Sequence, residues 1–305
     1  KDFVRELTRK CFVNGIRIKN VQHLSKKNGR NAIVFQARTV GRSCVTAKKV
    51  VPVLTEVLRS GYYPDDSNRR IINEEYHQYI FIQEDRFKLL SGVARMNKGK
   101  SHFNGDNFLI SRLECGKAIA AIADGMGSGK RAYIESRMVI ELMENCIDAG
   151  FDEKASIDLI NSAYIAGGGT GNPVTMDMSV IDCQSGYMHC MKLGAVSTFI
   201  RRDKWVEIIQ STTLPMGVLE QVDYDCTTKK LYDGDYIVMV SDGVLDNIPC
   251  VNKEERMAQM IHALTIREPS AMAEKLLEQS LAYNDMKASD DCTVLVLGLF
   301  DTYEK

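Results

Sequence analysis

Four short acidic motifs carry the chemistry of this sequence: Gly105-Asp106-Asn107, Asp124-Gly125-Met126-Gly127-Ser128-Gly129, Ser241-Asp242-Gly243 and Asp290-Asp291. One Asp in a loop is ordinarily a turn former or a cap. Here the context repeats. Asp124 follows AIAAIA, Asp242 follows YIVMVS, Asp290 stands just before CTVLVLGLF and Asp106 opens an apolar run. Carboxylates collected at strand ends with no Lys or Arg beside them call for a cation. Oxygen donors with water in the remaining positions suit Mg²⁺ or Mn²⁺. Zinc is disfavoured, because no His or Cys lies within the motifs.

The first two motifs can be placed against each other by counting. Residues 106–113 and 117–123 both read as strands, and Glu114-Cys115-Gly116 reads as the turn between them. An antiparallel hairpin of that length pairs positions whose numbers sum to about 230, so Asp106 is expected to face Asp124 across its open end.

Many short strands must hold these motifs in place. From Tyr79 onward, strand-like runs fall at 79–83, 86–95, 106–113, 117–123, 174–182, 186–193, 197–202, 205–210, 222–231, 236–240 and 292–300. Such spacing predicts two antiparallel sheets packed face to face. Helical spacing interrupts them at 129–149, where Met138, Val139, Leu142, Met143, Cys146 and Ile147 form a stripe, and at 152–166, through Ala155, Leu159, Ile160 and Ala163. A second helical pair is expected at about 253–265 and 269–283. The predicted class is α+β, an α/β/β/α sandwich with helices on the outer faces. Residues 1–85 read as a separate small α/β module ahead of a domain at 86–305. It has a helix at 2–13 stopped by Gly15, β-runs around 16–24 and 32–39 joined by the turn Lys26-Lys27-Asn28-Gly29, and a helix over 44–60 with Pro52 in its first turns.

Composition limits where this chemistry operates. The 305 residues are 45% hydrophobic and 26% charged, as in ordinary globular proteins. No run of about 18 apolar residues and no signal-peptide pattern occurs, so the chain is expected to stay out of the bilayer and the secretory route. Its start at Lys1 suggests a piece of something longer. Nine scattered Cys without a Cys-x-x-Cys pair read as reduced thiols, and the five His as structural or surface residues, with His102 close to Asp106. The net charge of −1 hides an asymmetry, since residues 1–50 carry 13 Lys and Arg against Asp2 and Glu6, a net +11. Those charges are interleaved with apolar residues and read as an exposed face; beside a membrane they would be drawn to anionic lipid.

Two readings of the glycine-rich turn after Asp124 fail. A P-loop would need Gly and Ser or Thr where the sequence has Asp124 and Arg131. The nucleotide-binding turn of histidine-kinase-like ATPases would need a preceding helix with Asn and Glu, where a hairpin is expected. The motifs in their order resemble the metal-dependent type 2C protein serine/threonine phosphatases, and among them a membrane-anchored sporulation phosphatase of the bacterial forespore. The resemblance rests on Ser-Gly-Val-Ala at 91–94, Gly-Asp-Asn-Phe at 105–108, Ile-Ala-Asp-Gly-Met-Gly-Ser-Gly at 122–129, Thr-Met-Asp-Met-Ser-Val-Ile-Asp at 175–182, Lys-Leu-Gly-Ala at 192–195, Leu-Pro-Met-Gly-Val at 214–218, Val-Ser-Asp-Gly at 240–243 and Asp-Asp-Cys-Thr-Val at 290–294. It is dense over 86–300, with a weaker match to a regulatory segment before that.

The resemblance implies two Mn²⁺ or Mg²⁺ ions bridged by Asp124, with the Gly125 carbonyl on one, Asp242 and Asp290 on the other, and Asp106 acting directly or through water. Two divalent ions activate water for attack on phosphorus, so no Cys or Ser nucleophile is needed. Candidates for a phosphate-binding cation are Lys130, Arg131 and Lys192. The sequence departs from the family at Cys292, where Met is common, and in the glycine-rich stretch Gly167-Gly168-Gly169-Thr170-Gly171. The implied substrate is a phosphoserine on an anti-anti-sigma factor in sporulation sigma-factor control. The tubulin-like cell-division protein and a second copy of the chain are implied as further partners, nucleic acid is not, and the expected location is the cytoplasmic face of a membrane-anchored parent. The rival functions are a catalytically silent scaffold of the same fold and an ATP-binding switch kinase.

Overall fold

The computed structural model describes residues 2–25, 31–99, 101–113, 116–166, 172–203, 205–221 and 223–302. The expected turn at 26–29, the hairpin residues Glu114 and Cys115 and the glycine-rich stretch 167–171 lie outside the described residues. The chain divides into two compact units, Lys1–Arg86 and Phe87–Leu113 with Lys117–Asp301.

The first unit runs α1 (Asp2–Val13), β1 (Ile16–Ser25), β2 (Asn31–Thr39), β3 (Val45–Thr46), α2 (Val51–Leu58), β4 (Tyr62–Pro64), β5 (Ile71–Ile72) and β6 (His77–Gln83). Its main sheet has the order β1-β2-β6-β4, all antiparallel. Leu7 and Cys11 of α1 pack with Ile16, Phe35, Tyr79 and Phe81 in one core, where Phe35 and Phe81 stack at 5.4 Å. The helix expected over 44–60 is shorter. A two-residue strand and the 3₁₀ turn Ala47–Val50 come first, and α2 starts where Pro52, lacking an N–H, fits the first turn.

The second unit is a sandwich. Its strands are β7 (Phe87–Met96), β8 (Asp106–Arg112), β9 (Lys117–Gly125), β10 (Val174–Asp182), β11 (Tyr187–Leu193), β12 (Thr198–Arg202), β13 (Trp205–Ile209), β14 (Asp225–Lys230), β15 (Tyr236–Val240) and β16 (Cys292–Asp301). They form two antiparallel five-stranded sheets, β14-β11-β10-β9-β8 and β13-β12-β15-β16-β7. Side chains alternate across each strand. Ala120 and Ile122 of β9 therefore meet Leu295, Leu297 and Leu299 of β16 between the sheets, while Ile119, Ala121 and Ala123 face outward onto helices. The helices α3 (Lys130–Asp148) and α4 (Glu153–Ala166) cover the first sheet; α5 (Asp242–Asp246), α6 (Lys253–Ala263) and α7 (Pro269–Leu281) cover the second. The architecture is the expected α/β/β/α sandwich.

Two details differ from expectation. In α4 the buried stripe is Ser156, Ile157, Ile160, Asn161 and Tyr164, and Leu159 is exposed, because polar Asn161 and Ser156 turn inward to bond backbone groups. The short α5 is not among the expected helices; the chain makes one helical turn directly from β15.

Candidate metal centre

Asp106 and Asp124 face each other in the β8–β9 ladder, as the hairpin count requires. Parity decides where they point. Asp124 continues the inward set Ala120 and Ile122, and Asp106 that of Phe108, so both carboxylates lie at the end of the space between the sheets. Asp106 is fully buried, and neither of its carboxylate oxygens has a hydrogen-bond partner among the described residues. Burial pushes its carboxyl up to about 7; the nearby Thr293 and Ser241 hydroxyls oppose this, and the charges of Asp242 and Asp291 add to it. Burial likewise raises Asp124, reinforced by the charges of the nearby Asp106 and Asp242 carboxyls. Asp242 is raised for the same reason, and Asp290 is among the charges acting on it.

The second sheet delivers its acids through a cross-link. Ser241 exchanges bonds with Thr293, accepting its N–H on Oγ at 2.9 Å and donating its own N–H to the Thr293 carbonyl at 3.0 Å. Asp242 and Asp290 therefore emerge side by side. Gly243 is required beside them, because a Cβ there would stand 2.1 Å from the Asp291 carbonyl oxygen. Gly125 is required for a like reason: its Cβ would stand 2.3 Å from the Ala132 carbonyl oxygen, where α3 presses on β9.

The two adjacent acids at 290–291 have different work. Asp291 is buried and accepts the Lys98 N–H and the Gly105 N–H, each at 2.7 Å, and so fixes the loop that presents Asp106. Asp290 is half-buried, with Lys98 Nζ at 3.4 Å.

Cations do stand beside this cluster, contrary to the expectation of carboxylates without Lys or Arg. The Arg95 guanidinium donates to the Asp106 carbonyl and lies within electrostatic reach of Asp106 and Asp291, and Lys98 pairs with Asp290. Sequence distance hid the Lys98–Asp290 pair, and Arg95, although it has the inward parity of Val93 on β7, meets Asp106 only across the two sheets. Of the candidate phosphate binders, Lys130 is exposed at the start of α3 and Arg131 pairs with Glu135 at 3.3 Å. Lys192 is engaged elsewhere in the fold. It is 1% exposed and held by Asp177 Oδ2 and the Val196 carbonyl, each at 2.6 Å, inside the sandwich. His102 is exposed.

No three His, Cys, Asp or Glu side chains among the described residues converge into a ready-made ion cage. A water-rich Mg²⁺ or Mn²⁺ site does not need one, since such ions keep several waters and take few carboxylates. The donors fit that chemistry: they are oxygens only, two are buried without a partner, and the Asp106, Asp124 and Asp242 carboxyls repel one another until a positive charge is added.

The family model described as Stage II sporulation protein E (SpoIIE) matches residues 115–300. The chain belongs to this family. Stage II sporulation protein E of Bacillus subtilis (strain 168) is 29% identical over 286 residues, which is 93% of this chain and 34% of the relative. The chain thus spans less than half the length of the curated relatives it matches. A solved structure described as the PP2C phosphatase domain and a fragment of the regulatory domain of SpoIIE from Bacillus subtilis superposes with a TM-score of 0.75 at 27% identity, covering 99% of this chain and 91% of that one. RsbX in complex with magnesium shares the fold, with a TM-score of 0.54 at 20% identity over 69% of this chain and 95% of its own. The second unit therefore has the type 2C phosphatase fold. Among the described residues no helix is long and apolar enough to cross a membrane.

Proposed function

We propose that this chain is a metal-dependent protein serine phosphatase that hydrolyses phosphoserine on an anti-anti-sigma factor in the sporulation sigma-factor switch, as part of a longer, membrane-anchored parent. The observation that carries the reading is the carboxylate group around Asp124, with both oxygens of Asp106 buried and unpartnered. Asp106, Asp124, Asp242, Asp290 and the Gly125 carbonyl would hold two Mn²⁺ or Mg²⁺ ions. When bound, such a pair supplies an activated water and neutralises charge on the phosphoryl oxygens.

The chain's own residues orient this centre. Asp291 anchors the loop at Gly105, the Ser241–Thr293 exchange sets Asp242 beside Asp290, and the Arg95 guanidinium steadies the Asp106 backbone. The unpartnered buried acids count against a silent scaffold, because a fold with no metal to bind gains nothing from holding them together. The β8–β9 hairpin before Asp124 counts against the kinase reading. Residues 1–85 would serve regulation, since none of the acidic motifs falls within them. The test is phosphoserine-protein hydrolysis with and without Mn²⁺. We expect turnover that chelation abolishes and thiol alkylation spares; full turnover in excess EDTA overturns the reading.

A further inference from the structure

The motif Leu-Pro-Met-Gly-Val at 214–218 contributes no group to the metal centre, yet its loop is pinned along its whole length. Thr212 donates its N–H to Asp225 Oδ2 at 3.0 Å. The Thr213 hydroxyl accepts the Gly194 N–H at 3.2 Å and donates to the Lys192 carbonyl at 3.1 Å. Met216, fully buried, exchanges both backbone bonds with Val174 at 2.8 and 3.1 Å. Asn161 of α4, 1% exposed, accepts the Gly217 N–H and donates to the Leu219 carbonyl, each at 2.9 Å.

What this scaffold presents outward is apolar. Leu214 is 51% exposed, Val218 43% and Leu219 49%, an unusual display for a loop so firmly held. Between Leu214 and Leu219 lies a hollow of about 120 Å³, lined also by Thr212, Thr213, Pro215 and Asp223. Its size is comparable with the ~150 Å³ cavity that accepts a benzene ring, so it has room for one aliphatic side chain. Asp223 puts a carboxylate at its edge. Rigid apolar groups around a small pocket have the form of a binding hot spot, where pre-organisation lowers the entropy lost on association.

The loop also lies beside the chemistry. Met216 bridges Val174, and Val174 stands opposite Gly125 on the neighbouring strand. Two strand spacings, about 10 Å, therefore separate the loop from the metal turn. Phosphoserine is a short side chain, so a protein that presents one to Asp124 must lay its own surface over the residues around that opening.

We propose that the 211–221 loop is a docking surface for the phosphoserine protein substrate, and that its hollow takes an aliphatic side chain of that protein with a basic residue set against Asp223. This rests on the phosphatase reading above and names how the substrate is selected.

The experiment compares the whole chain with Leu214→Ser/Leu219→Ser and with Asp223→Lys on two substrates in Mn²⁺, a phosphorylated anti-anti-sigma factor and p-nitrophenyl phosphate. Both variants are expected to raise KM for the phosphoprotein about tenfold, with kcat within about twofold. Hydrolysis of p-nitrophenyl phosphate, Mn²⁺ dependence and melting temperature should stay at wild-type values, and Leu219→Met should behave as wild type. Unchanged KM, equal losses on both substrates, or a wild-type enzyme that prefers p-nitrophenyl phosphate in kcat/KM each overturns the docking surface. Absence of Mn²⁺-dependent hydrolysis of either substrate overturns the phosphatase reading itself.

Discussion

Asp106 makes the metal-free protein sensitive to pH in a direction that can be worked out. Its folded-state carboxyl sits at about 7, above the ~3.9 of an unfolded Asp. Between those values the folded chain holds more protons than the unfolded one, so stability falls as pH rises from about 4 to about 7. Melting curves in EDTA should show this decline, and saturating Mn²⁺ should remove it; metal-free stability that climbs over the window would refute the assignment. Asp124→Ala and Asp242→Ala are expected to lower turnover at least about 100-fold, roughly 3 kcal/mol of barrier, while leaving metal-free stability unchanged or raised, because repulsion is relieved. The adjacent acids should separate. Asp290→Asn should be inactive, whereas Asp291→Asn should keep more activity but lose about 1–3 kcal/mol of stability, since an amide cannot accept both N–H groups that the carboxylate now takes. The reverse ranking would shift the metal ligand by one residue. At this scale the facing of Asp106 and Asp124 was legible, because a hairpin turns sequence distance into register. Arg95 and Lys98 were not, as their place depends on the packing of one sheet against the other; the buried Asp177–Lys192 pair follows from the β10–β11 hairpin register and was open to the same count.

At the scale of elements, the close approach of α3 to β9 and of α5 to the start of β16 sets a steric limit. Gly125→Ala or Gly243→Ala would drive a methyl into a carbonyl oxygen at 2.3 or 2.1 Å. Relief requires a backbone shift, which we expect to cost about 1–3 kcal/mol and to weaken Mn²⁺ binding; isothermal titration of each variant checks the second effect separately from the melt. Lys192→Met should be more damaging still, by about 3–5 kcal/mol, because Asp177 would lose its buried ion-pair partner between the sheets. A Lys192→Met/Asp177→Leu double variant should recover much of that loss. Strand alternation and apolar helix stripes made most elements readable. The misread stripe of α4 shows the limit: Asn161 occupies a buried position for its bonds to the 217–220 backbone, and hydropathy alone assigns that position to the surface.

For the whole molecule, each unit has its own hydrophobic core. A chain beginning at residue 86 is therefore expected to fold and to titrate with Mn²⁺, and comparing its metal dependence and turnover with those of the full chain measures what residues 1–85 add. Identical curves would leave that unit as a tether or partner-binding module. The sandwich also divides its carboxylates: Asp106 and Asp124 belong to one sheet, and Asp242 and Asp290 extend from strands of the other. An ion shared among them would act as a removable staple, closing a loop of well over a hundred residues at one end of the molecule. Because such an ion is held only by the folded chain, it stabilises that state by mass action, in proportion to its free concentration. Mn²⁺ should then slow unfolding and retard proteolytic opening of the metal end, so that the lifetime of the fold in a cell would follow the local supply of divalent metal.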